Sequence, residues 1–141
     1  MNEFLNDYDE KVIALAQYLD IDLEINEEDF EDEEEKEEAI QDIVDELDSI
    51  TNDYDNTYSY GNGEYLVLTD RESDEEEDRR LDNYLEECIY PELPENLRCY
   101  FDDEAWKRDA KMDGRGQIIS TYDGYENEEV VNGTTYYIYR V

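Results

Sequence analysis

The chain has 141 residues, with 45 Asp and Glu against 11 Lys and Arg, a formal charge of −34 and no histidine. At roughly one uncompensated negative charge per four residues, nucleic acid and anionic membrane surfaces are excluded as direct partners, and basic proteins or cations are favoured. Fourteen Tyr, three Phe, one Trp and only two Pro are too aromatic a composition for a solvating disordered tail, so the length reads as one domain, or two small ones, with a modest core.

In chain order, Tyr8, Val12, Leu15 and Leu19 share a stripe, with Ile13 and Ala16 beside it, and predict an amphipathic helix over about 5–19. DIDLEI (20–25) alternates carboxylates with Ile21, Leu23 and Ile25, a period suited to a short strand or an extended connector. The acidic run that follows has no apolar period. From Ala39, the positions of Ile40, Ile43, Val44, Leu47 and Ile50 predict a second helix.

Residues 54–69 read as two strands around Gly61-Asn62-Gly63. Thr69 and Glu72 make a capping box that opens a third helix, with an acidic start at 74–78, a buried stripe of Leu81, Tyr84, Leu85, Cys88 and Ile89, and an end at Pro91. A fourth helix is expected from about Asp102 to Gly114, burying Ala105, Trp106 and Ala110. Asn132-Gly133, between β-branched residues, is the strongest hairpin signal in the chain. The sum is an α+β fold, about four helices packed on a small antiparallel sheet that includes a C-terminal hairpin. An acidic helical region (1–53) precedes an α+β region (54–141), and the two can form one compact unit.

The absence of histidine removes the commonest general base and metal ligand. With so many carboxylates, close pairs arise by chance, so no catalytic site, metal site or cofactor is expected. Asp53, Asp55, Thr57, Ser59 and Glu64 imitate an EF-hand spacing, but Tyr58 stands where the loop needs glycine. Cys88 and Cys99 read as buried structural thiols of a reduced protein, not a disulfide framework. No apolar run reaches the length of a membrane span, and MNEFLNDYDE lacks the regions of a signal peptide, so a bacterial cytoplasmic location is expected.

Charge is therefore the informative feature. Acids at i, i+3 and i+4 on a helix set carboxylates about 5–6 Å apart along one face, which imitates a row of phosphates. The candidate binding residues are Glu27, Glu28, Asp29, Glu31, Asp32, Glu33, Glu34, Glu35, Glu37 and Glu38, with Asp42, Asp45, Glu46 and Asp48 on the second helix. Asp74, Glu75, Glu76, Glu77 and Asp78 on the third helix form a secondary set. The alternative for the first run is a flexible acidic linker.

The stretch YLEECIYPELPENLRCYFDDEAWKRDAKMDG (84–114) resembles the C-terminal region of the ArdA antirestriction family. The matching positions are Tyr84, Leu85, Glu86 and Glu87, then Pro94 and Leu97, Tyr100 and Asp102, Ala105, Trp106, Arg108 and Asp109, and Gly114. Leu97, Tyr100, Ala105 and Trp106 are expected to build core, and Arg108 with Asp109 an ion pair. The resemblance implies an acidic DNA mimic from a phage or mobile element that fills the basic DNA-binding groove of a restriction-modification enzyme. It also implies a symmetric homodimer with its contact near Glu86-Glu87 and the proline that follows. Residues 1–83 carry no such match, which leaves open a CRISPR nuclease as the target. The alternative from another class is an acidic binding module or chaperone for a basic phage protein.

Overall fold

The computed structural model describes residues 3–26, 28 and 30–141. Five strands form one antiparallel sheet in the order β1-β2-β3-β5-β4, with β1 Thr51–Tyr54, β2 Thr57–Tyr60, β3 Gly63–Thr69, β4 Asn127–Val131 and β5 Thr134–Arg140. This is the expected α+β class, and the C-terminal hairpin is present. Asn132 and Gly133 both have positive φ, at 51° and 81°, as the two-residue turn requires. β1 is an addition to the expected strands, and the boundary drawn after residue 53 falls inside it.

Alternation along β3 and β5 divides the core in two. Tyr65, Val67, Tyr136 and Ile138 face helix α1 (Glu10–Tyr18) and the C-terminal end of α2 (Glu33–Asp48), where Ile13, Leu15, Leu47 and Ile50 are buried. Leu66, Leu68, Tyr137 and Tyr139 face the opposite side and pack with Ile119 of α5 (Arg115–Ile119). α3 (Asp70–Tyr84) lies on that second face against β3, β5 and α5. The sheet thus sits between two helical layers.

Several expected elements shift for identifiable reasons. α1 begins at Glu10, because the Asp9 side chain accepts from the Lys11 N–H, and a 3-10 turn (Glu3–Asp7) precedes it. Residues 21–26 form no strand; they are an irregular connector in which the Glu24 N–H donates to Asp22 Oδ1 and Leu23 is buried. α2 begins at Glu33, inside the acidic run. Asp32 caps it by accepting from the Glu35 N–H at 2.8 Å, and Glu33, Glu34 and Glu35 then occupy the first turn, where the helix dipole favours anions. The linker reading of residues 33–38 is thereby overturned.

On α3 the capping box is present as expected. Its buried stripe, however, is Ser73, Glu77, Leu81 and Leu85. Tyr84, stacked on Trp106, and Cys88, on a π-helical turn over Leu85–Ile89, are exposed instead of buried.

α4 (Asp103–Lys111) ends before Gly114 and buries no residue fully. It is held to α3 by the stacked rings of Tyr84 and Trp106, 5.6 Å apart, and by Lys107–Asp82 and Lys111–Asp78 ion pairs. Leu97 is 49% and Tyr100 81% exposed, against the expectation that they build core, and Cys99 is exposed as well. Arg108 and Asp109 approach only to 3.9 Å and are both solvated. The common cause is that residues 86–118 contribute nothing to either core cluster. Among the described residues, no helix is long and apolar enough to cross a membrane.

Candidate functional site

The acids are sorted by sign-matching, and the sorting separates the two helical layers. Between Lys11 and Arg71 the chain carries twenty-one acids and one cation, Lys36. Of the nine cations from Arg71 onward, Arg71, Arg79, Arg80, Lys107, Lys111 and Arg115 pair with acids of α3, whereas Arg140 of β5 lies by Tyr65 on the α1 side.

Every acid of α3 is paired or buried. Arg115 bridges Asp70 and Asp74 at 2.9 and 3.0 Å, Lys11 pairs with Glu72 at 2.8 Å and Arg71 with Glu75 at 3.1 Å. Glu76 takes Arg79 and Arg80, Asp78 takes Lys111, and Asp82 takes Lys107. Burial pushes Glu76 upward, but the hydrogen bonds from Arg79 and Arg80 outweigh it and hold the carboxyl below its usual range. Glu77 has no such partner: it is 5% exposed, and burial raises it. In the secondary set, residues 74–78, Asp74, Glu75, Glu76 and Asp78 are tied into an ion-pair network, with Asp74 and Glu75 each 64% exposed.

α2 is the opposite case. Sixteen residues give it a length of about 24 Å, and Glu33, Glu34, Glu35, Glu37, Glu38, Asp42, Asp45, Glu46 and Asp48 are all exposed along it. At 100° per residue, Glu34, Glu38, Asp42, Asp45 and Asp48 fall on one outward stripe, with Glu35, Glu37 and Glu46 at its margins. Over the same 24 Å a DNA duplex presents about fourteen phosphate charges, so nine carboxylates come within a factor of two of its density.

The C-terminal end of α2 is anchored in the core through Leu47 and partly through Ile43. Tyr60 Oη donates to Glu46 Oε2 at 2.8 Å and Tyr8 Oη to Asp48 Oδ1 at 3.2 Å. These contacts fix two carboxylates and raise both phenols, Tyr60 chiefly through its hydrogen bond to Glu46 and Tyr8 through burial and the bond to Asp48. The first two turns stand clear of the core and bury no side chain.

The structure also brings in acids outside the predicted set. Asp20 and Asp22 of the connector line a shallow depression with Asp42, Glu46 and Tyr60, which broadens the ridge toward α1. The period-two carboxylates of DIDLEI were the signal available for them. Glu28, Glu31 and Asp32 are exposed just ahead of α2, whereas Glu27 and Asp29 lie outside the described residues. Glu86 and Glu87 are exposed on the π-helical turn, away from this ridge in sequence and in helical layer. Among the described residues no group of three or more Cys, Asp or Glu is placed to hold a metal ion.

No protein-family model, curated protein or solved structure matches the chain.

Proposed function

We propose that the protein mimics the charge of duplex DNA and inhibits a bacterial defence enzyme, foremost a restriction-modification enzyme, by occupying its DNA-binding groove. The observation that carries this reading is the asymmetry of charge pairing: α3's acids are neutralised internally, while α2's nine are displayed on a projecting helix with Lys36 as its one cation. Stability alone would favour pairing both sets, because unpaired like charges oppose the compact state. A groove lined by Lys and Arg supplies the missing partners, since it normally holds a phosphate backbone. The resemblance of residues 84–114 to the ArdA family supports the choice of target class.

The test is displacement of a labelled DNA duplex from a purified restriction-modification enzyme, measured between low and physiological salt. Competitive displacement that weakens steeply with salt is expected, because exposed charges are screened and bound ions must be exchanged. Equal binding to enzyme already saturated with DNA would refute groove occupancy.

A further inference from the structure

We infer a second interaction surface, independent of the acidic ridge: the free edge of β4 takes up an extended cationic segment of a partner protein as a sixth strand. β4 ends the sheet, and its register with β5 pairs Val131 with Thr134, Glu129 with Tyr136 and Asn127 with Ile138. A two-residue turn makes its closing pair, Val131 and Thr134, a hydrogen-bonded one, so bonded pairs recur at 129 and 127. The backbone N–H and C=O of Glu128 and Val130 therefore point away from β5. Among the described residues neither of these backbones bonds to another element.

Beside β4 lies an open cleft of about 570 Å³, bounded by Leu5, by the connector at Leu23, Glu24 and Ile25, and by Val130 and Asn132. An exposed edge next to a cleft has the form used in strand addition, where main-chain bonds give affinity and alternate side chains give selectivity.

The two sheet edges are unlike. β1 is four residues long, wholly exposed and interrupted by a register shift between Asn52 and Tyr54, which blunts it as a template. β4 has no such irregularity, no proline and no lysine, and Val130 on it is 58% exposed. Charge selects the occupant. Glu24 stands exposed in the cleft wall and Glu128 exposed on β4 itself, and Glu129 is raised by burial and by nearby Asp20, so added negative charge is disfavoured there. Leu23, Ile25 and Val130 offer apolar wall to the aliphatic stems of Lys or Arg. A second copy pairing edge to edge would bring together two chains of charge −34.

The experiment uses the full chain, isotope-labelled, with a blocked nonapeptide alternating lysine and valine. Its analogue, N-methylated at consecutive central residues, has the same charge and neither edge free to donate. Protection of the Glu128 and Val130 amide protons from exchange is expected, with at least tenfold weaker binding of the methylated peptide. Val130→Pro removes the outward donor while sparing the β5 ladder, and should weaken the parent peptide similarly; if that variant does not fold, the peptide comparison still decides. Equal binding of both peptides, or perturbation confined to α2, would overturn the proposal in favour of simple adsorption. Concentration-dependent dimerisation that buries the Glu128 amide would overturn it in favour of a second copy. A chain with α2 neutralised retains Glu128 protection, which keeps this result separate from the fate of the DNA-mimic reading.

Discussion

Replacing Glu34, Glu38, Asp42 and Asp45 together by their amides should make the protein more stable and a weaker competitor of DNA. These four acids make seven like-charge contacts at i,i+3 or i,i+4, with Glu35, Glu37, Glu46, Asp48 and one another. Two carboxylates about 6 Å apart repel by about 0.7 kcal/mol in water, and screening at physiological salt leaves roughly half of that. The result agrees with about 0.2–0.5 kcal/mol for helical like-charge pairs, so seven contacts sum to about 2 kcal/mol. Glu34 lies in the first turn and forfeits a favourable dipole interaction of about 0.3–1 kcal/mol. Asp45 accepts from Gln41 Nε2 at 2.9 Å, and an amide oxygen there keeps most of that bond. The net gain is about 1–1.5 kcal/mol, or roughly 3–6 °C in Tm for a chain of this size. Calorimetry in low salt and again near 1 M salt is the assay, with the gain vanishing at high salt. A gain that survives high salt, or a loss of stability at low salt, would refute the claim that α2 is held under unrelieved repulsion. Unchanged displacement of DNA by the same variant would remove α2 from the binding surface.

Leu47→Ala removes the one fully buried side chain of α2 and should cost about 2–5 kcal/mol in urea unfolding, with fluorescence of the neighbouring tyrosines reporting release of the helix. Glu77 is raised in the folded state, so the stability it contributes is fully present below the ordinary glutamate value of about 4.3 and is lost as pH rises through the raised one. Glu77→Gln should therefore match the parent near pH 4 and exceed it at pH 7 in denaturant midpoints; equal midpoints at pH 7 would refute this. Gly116→Ala would set a Cβ 2.6 Å from the Gly124 carbonyl oxygen, a backbone atom with little room to yield, and should lower stability by about 1–3 kcal/mol in thermal melts. Thr69→Ala breaks the capping box that starts α3 and should cost about 1 kcal/mol, measured by far-UV circular dichroism.

The amphipathic pattern of residues 40–50, the Thr69–Glu72 box and the Asn132-Gly133 turn are local signals, and each produced its element. Each depends on residues within one or two turns of one another, which is why it is legible in sequence. The start of α2 was harder to see, because Glu33 to Glu38 have no apolar partner in the chain to mark them as helix. A cap at Asp32 and the dipole supply what hydrophobic period does not. The 86–118 segment misled in the other direction: its Leu, Tyr and Trp residues have core composition, but neither core cluster has a place for them, and ring stacking and lysine–aspartate pairs hold the segment instead.

The sequence by itself determined, through composition, a large unbalanced negative charge and, through local pattern and turn signals, the α+β class. Tertiary structure alone decided which acids are free. The 74–78 run is as acidic in sequence as much of α2, yet Arg79, Arg80, Lys111 and Arg115 reach it, two of them from beyond residue 110. Such pairing depends on chain-distant side chains meeting in space, and only the packing of the two helical layers on the sheet sets where they meet.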